Sequence, residues 1–141
     1  MAPARTEATD RLLNELRALA LPAGQYAVFG SGPMGVRGLR EIHDVDVIVS
    51  APLFAELSRR YGAREHAHGL KKIQVGNVEL LDSWYPDVGA VQTLIDEADW
   101  IEGLPFVKLA KVLEWKEKFG RSKDGPDVET IKAHLRAIER R

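Results

Sequence analysis

Two acidic residues two positions apart, Asp44 and Asp46, are the first candidates for chemistry in this sequence. They open the run Asp44-Val45-Asp46-Val47-Ile48-Val49, which alternates and then becomes continuously β-branched. That pattern predicts a central strand whose first half faces an open cleft. Residues two apart on a strand project from one face, so the carboxylates stand side by side about 7 Å apart. Hard divalent cations take oxygen ligands, and magnesium at phosphoryl-transfer sites is typically held by one or two carboxylates together with substrate phosphates. Surface strands also carry acidic residues simply for solubility, so the pair alone decides little.

A second feature precedes it. Gly30 and Ser31 close the apolar run Tyr26-Ala27-Val28-Phe29, with Ser31 thirteen positions before Asp44. Glycine lets a triphosphate approach the backbone there, and the hydroxyl and amide groups of the turn can donate hydrogen bonds to it.

The elements that must position these residues follow from periodicity. Leu12, Leu13, Leu16, Leu19 and Ala20 recur at helical spacing and predict an amphipathic helix over 6–21, ended by Pro22 and Gly24. A buried strand over 26–29 enters the glycine-rich turn, and a short helix over 34–39 follows. After the acidic strand, Ser50 caps a helix over 51–61. Gly76-Asn77, between 72–75 and 78–81, suits a tight hairpin, so 70–84 reads as antiparallel. Helical patterning returns over 91–98, a short strand is expected near 100–102, and a helix over 107–119 stops at Gly120. The last helix is expected from Pro126 or Asp127 toward Ile138. The resulting class is α/β (α+β), a mixed β-sheet flanked by helices, in one domain over 1–141 with residues 1–5 flexible.

Phe29-Gly30-Ser31 followed by Asp44-Val45-Asp46 resembles the motif of the nucleotidyltransferase superfamily related to DNA polymerase beta, Gly-Ser and then Asp-x-Asp within a strand. Small members of that superfamily often end in a lysine-rich helix and an Arg-x-Lys-Asp-x-x-Asp segment, a pattern occupied here by Arg121, Lys123, Asp124 and Asp127. The resemblance covers 26–50 and 104–135. It implies a nucleotidyltransferase-like fold and transfer of a nucleoside monophosphate from a nucleoside triphosphate to an acceptor hydroxyl, with Mg2+ or Mn2+ as the metal. Asp44 and Asp46 would be metal ligands and catalytic carboxylates, and Gly30 and Ser31 the phosphate turn.

Catalytic members of the superfamily add a third carboxylate from a neighbouring strand. Glu79 and Asp82 are the candidates. With the turn at Gly76-Asn77, Gln74 pairs with Glu79 on one face while Ile73, Val75, Val78 and Leu80 share the other, so Glu79 looks into the polar cleft. Asp82 reaches it only if a bulge follows Leu80. The third carboxylate would orient or deprotonate the acceptor hydroxyl, with pyrophosphate leaving after attack at the α-phosphorus. Arg37, Arg40, Lys116, Lys118 and Lys123 are the cations whose positions allow a contact with the triphosphate.

A glutamate stands where the superfamily more often has aspartate, and a shift of about 1 Å in the reacting groups can cost about a hundredfold in rate. A catalytically impaired nucleotide-binding or interaction module of the same fold, antitoxin-like or regulatory, is therefore the alternative. Gly30, Gly32 and Gly35 also satisfy the glycine fingerprint of dinucleotide-binding folds, although Pro33 interrupts the loop and the acidic residues come early. His66 and His68 have a zinc-compatible spacing with no cluster to complete it. Of Trp84, Trp100 and Trp115, only Trp84 is expected near the cleft.

Composition bounds the rest. The 141 residues are 45% hydrophobic, enough for one continuous core. A formal net charge of -1 gives no bulk attraction to anionic membrane and argues against a long nucleic acid as the acceptor. With no cysteine there is no disulfide or thiolate chemistry, which fits a cytoplasmic address. The first ten residues predict neither a secretory signal nor a membrane anchor. A domain this small leaves its cleft thinly covered, so a homodimer or a partner subunit is expected to complete it.

Overall fold

The computed structural model describes residues 5–140. Its helices are α1 (Glu7–Ala18), α2 (Gly32–Gly35), α3 (Ala51–Tyr61), α4 (Val91–Asp96), α5 (Leu109–Phe119) and α6 (Gly125–Glu139). Its strands are β1 (Tyr26–Phe29), β2 (Val45–Val49), β3 (Arg64–Glu65), β4 (Lys71–Val75), β5 (Val78–Leu81), β6 (Asp99–Ile101) and β7 (Leu104–Phe106). The strands form one mixed sheet in the order β3-β4-β5-β2-β1-β7-β6. β2 lies at its centre, antiparallel to β1 and parallel to β5.

Alternation along the central strands divides the core into two layers. Val45, Val47 and Val49 of β2 pack with Leu12, Leu13 and Leu16 of α1 and with Leu53, Phe54 and Leu57 of α3. Ala27, Phe29 and Ile48 project the other way and pack under α4, α5 and α6 through Leu94, Ile95, Val112, Trp115 and Ile131. Asp44 and Asp46 fall on this second face, where the helical layer leaves the start of β2 uncovered. Both covered faces need apolar residues from Val47 onward, hence the continuous β-branched run.

Boundaries follow local chemistry. Thr6 caps α1 by accepting from the Thr9 N–H at 3.2 Å, and Ser50 caps α3 by accepting from the Leu53 N–H at 3.3 Å. Gly62 and Gly120, at φ 81° and 70°, end α3 and α5.

Several expectations are corrected. The short helix is Gly32–Gly35 rather than 34–39, because Pro33 fits its first turn and Gly38, at φ 72°, ends the turns that follow. Val107 does not begin a helix: its N–H donates to the Val28 carbonyl at 2.8 Å, continuing the pairing of β7 with β1. The strand expected near 100–102 forms as β6 and has a partner, β7, that its pattern did not announce. The antiparallel pairing of β1 with β2 removes the dinucleotide-binding reading, which requires a parallel βαβ unit. Of the segment expected to be flexible, residues 1–4 lie outside the described residues, and Arg5 is ion-paired to Glu102 and Asp10. Among the described residues no helix is long and apolar enough to cross a membrane.

Candidate active site

Strand register assembles the site. Phe29 pairs with Asp46 across β1 and β2, Asp46 pairs with Glu79 across β2 and β5, and Glu79 pairs with Gln74 across β5 and β4. Carboxylate oxygens of Asp44, Asp46 and Glu79 consequently lie within 4.8 Å of one another. Asp82 is outside this group; its carboxylate accepts a long 3.5 Å hydrogen bond from Ser83 Oγ. No bulge after Leu80 is needed, and the register of the hairpin is the one its turn predicts.

Gly30 continues β1 into the cleft wall at φ 63°. A Cβ at this position would sit 2.5 Å from Asp46 Oδ2, so the turn is glycine both for its left-handed backbone and for its close approach to the carboxylate. Ser31 follows with its side chain free of any capping bond.

Three carboxylates this close cannot all ionise at ordinary cost. Burial, reinforced by a hydrogen bond to Glu79 and the neighbouring charges of Asp44 and Glu79, pushes Asp46 up to about 8. Burial and the nearby Glu79 also raise Asp44. Burial opposes the ionisation of Glu79 too, but hydrogen bonds from Lys72 and Asp46 outweigh it and hold Glu79 below the usual range. The three therefore act as one coupled group, with the proton favouring Asp46.

A cleft of about 570 Å³ opens over the carboxylates. Gly30, Ser31 and the acidic group line one wall, and the aromatic rings of Trp84, Tyr85, Trp115 and Phe119 line another. Trp84 stacks on Phe29 with ring centres 4.5 Å apart, and Trp115 meets both edge-on. Trp115 thus joins Trp84 at the cleft, whereas Trp100 sits 55% exposed on β6. His68 stacks on Tyr85 at 3.9 Å across the mouth.

The expected cations divide. Arg40, Lys116 and Lys123 line the cleft. Arg37 does not: its guanidinium donates to the Pro33 carbonyl at 2.7 Å and pairs with Asp99 at 3.2 Å, on the β6 side. Lys118 donates to the Asp87 carbonyl at 2.7 Å. Lys116, only 3% exposed, is committed to Asp124 at 3.1 Å and Asp127 at 3.2 Å. Arg121 pairs with Asp124 and Arg40 with Asp127, each at 2.6 Å, closing a network that ties α5, α6 and the loop before β2 together. The Arg-x-Lys-Asp-x-x-Asp segment builds this wall, and exposed Lys123 stands at its rim.

Buried charge-assisted hydrogen bonds contribute about 1.5–3 kcal/mol each, but Asp124 and Asp127 keep their arginines if Lys116 is lost. Lys116→Met is expected to lower unfolding free energy by about 2 kcal/mol, read from the denaturant midpoint. An unchanged midpoint would show that the network contributes no stability.

Lys72 is the site residue that the sequence reading passed over. Its Nζ lies 2.5 Å from Glu79 Oε1. The signal was present, because Lys72 is two positions from Gln74 and so shares the cleft face with Glu79.

The three carboxylates fit a hard divalent cation: the donor set is all oxygen, it is compact, and no sulfur or imidazole belongs to it. No protein-family model matches the chain, and no curated protein matches its sequence. Among solved structures, a proposed nucleotidyltransferase from Thermotoga maritima aligns with a TM-score of 0.60 at 16% identity, over 96% of this chain and 97% of that one. ANT(2″)-Ia, solved in complex with adenylyl-2″-tobramycin, aligns with a TM-score of 0.50 at 16% identity, over 92% of this chain and 88% of that one. At such identity the likeness is one of fold. The chain has a nucleotidyltransferase-like fold.

Proposed function

We propose that the chain transfers a nucleoside monophosphate from a nucleoside triphosphate to an acceptor hydroxyl. The observation that carries this reading is the group of three carboxylates, within 4.8 Å of one another, beside the Gly30-Ser31 turn in one cleft. Asp44, Asp46 and Glu79 would hold magnesium or manganese, which when bound neutralises phosphate charge and polarises the α-phosphorus.

The Gly30-Ser31 turn, with no side chain at Gly30, admits the triphosphate to its N–H groups and to the Ser31 hydroxyl. Glu79 accepts the proton of the acceptor hydroxyl as its oxygen bonds to the α-phosphorus. The bond from the α-phosphorus to the oxygen bridging it to the β-phosphorus breaks, and pyrophosphate leaves with that electron pair. Lys123 at the rim and Arg40 in the wall are the cations placed to meet the departing charge. The aromatic wall of Trp84 and Tyr85 offers planar surfaces for a base or for the acceptor.

The test has two stages. Each nucleoside triphosphate is titrated calorimetrically with and without magnesium, and transfer of an α-phosphate label to candidate acceptors is then followed together with pyrophosphate release. Micromolar, magnesium-dependent binding and label transfer are the expected results. Binding without transfer to any acceptor would assign the chain to the nucleotide-binding module instead, and absence of binding would overturn both readings.

A further inference from the structure

The acidic group is not without a cation of its own. Lys72 enters the cleft face from β4, with its side chain 21% exposed, and pairs with a Glu79 carboxylate that is 16% exposed. Its charge also favours the ionised forms of Asp44 and Asp46. The other cations of the cleft wall, Lys116, Arg121 and Arg40, are ion-paired with Asp124 and Asp127 instead. Among the described residues, Lys72 is the one side chain ion-paired with the group that would hold a metal.

We propose that Lys72 is the resident cation of the carboxylate site, holding Glu79 in place when no divalent ion is bound and yielding it when one arrives, so that it sets the affinity of the site for the free ion. The inference rests on the metal-site reading above. Ionised in full, as the ion-bound site requires, the three carboxylates carry a charge of minus three; the ammonium among them reduces this to minus two and competes with the dication for the same Glu79 oxygen. Each effect lowers affinity for the free ion, and Coulomb energies at such separations amount to several-fold to many-fold in binding even at an effective dielectric constant near 20. Lys72 therefore acts through Glu79, as a positioning residue. The cost in metal affinity is offset in the metal-free protein, where the ammonium keeps the acidic group from repelling itself apart.

The experiment is calorimetric titration of manganese alone into the metal-free protein, without nucleotide, for wild type, Lys72→Met and Lys72→Arg. Lys72→Met is expected to bind manganese about tenfold more tightly or better, with Lys72→Arg close to wild type because its charge is retained. Melting curves give a second readout: metal-free Lys72→Met should melt below wild type, and manganese should raise its midpoint by more. Lys72→Gln serves if the methionine variant does not fold. A purely structural lysine would predict the opposite sign, weaker binding as the acidic group loosens. Equal or weaker binding in the neutral variants overturns the proposal alone, while absence of manganese binding in wild type and variants alike overturns the metal-site reading and the proposal with it.

Discussion

Asp46→Asn is expected to lower nucleotidyl transfer by on the order of a thousandfold, the scale on which preorganised charge acts at a reacting phosphate. Asp46 sits where β1, β2 and β5 meet, between Phe29 and Glu79 in register, so no other carboxylate can take its place. The same substitution separates the metal-free proteins by pH. In wild type Asp46 is raised to about 8 from the ordinary carboxylate value of 3.8, so the folded state binds its proton more tightly than the unfolded chain does. That contribution to stability is fully present below the unfolded value and is lost as pH rises through about 8. Asparagine carries no proton to lose. In chelator, the melting temperature of wild type should therefore fall relative to that of Asp46→Asn between about pH 5 and pH 9. A bound dication removes the penalty by replacing the proton, so manganese affinity in wild type should rise about tenfold per pH unit until Asp46 ionises freely. Parallel melting curves for the two proteins would show that the proton is not held at Asp46, and a variant with wild-type transfer would remove Asp46 from the reaction.

What could be read from the sequence was whatever depends on alternation or on a single turn. The hairpin at Gly76-Asn77 fixes its own register, and with it the side of the sheet on which Glu79 lies. Helix α3 matched its expected bounds because Ser50 caps one end and Gly62 terminates the other. β7 was missed for a local reason: its hairpin with β6 turns at Glu102-Gly103, with φ of 51° and 80°, and a glutamate in the left-handed region lacks the usual asparagine or aspartate signature. Leu104-Pro105-Phe106-Val107 shows no alternation either, since all four residues are buried. The direction of the Arg37 side chain was not legible, because after a four-residue helix it depends on where that helix starts, and α2 starts two residues before the expected position. Charges of the terminal segment were legible as a motif but not as a network. That Lys116 is buried between Asp124 and Asp127 is set by the packing of α5 on α6, which no spacing rule encodes.

Gly30→Ala is expected to destabilise the fold by about 3 kcal/mol and to impair the site more than its stability cost accounts for. Two terms add. A non-glycine residue held at φ 63° carries left-handed strain of about 1 kcal/mol, and the new Cβ would lie 2.5 Å from Asp46 Oδ2 and 3.2 Å from Asp46 Cβ. Asp46 is held by ladder bonds to β1 on one side and β5 on the other, so its backbone cannot retreat and its carboxylate must turn. The carboxylate then leaves the group that it forms with Asp44 and Glu79, and manganese binding should weaken by about a hundredfold, as expected for displaced metal-site geometry. Gly24→Ala is the control, because Gly24 has φ 85° and nothing within 4 Å of an added Cβ. That substitution carries the strain without the collision and should cost about 1 kcal/mol with manganese affinity unchanged. Melting temperature and manganese titration of the two variants separate the terms. If Gly30→Ala loses stability no more than Gly24→Ala and binds manganese normally, the contact between the turn and Asp46 does not organise the site, and the close approach of Gly30 serves the backbone alone.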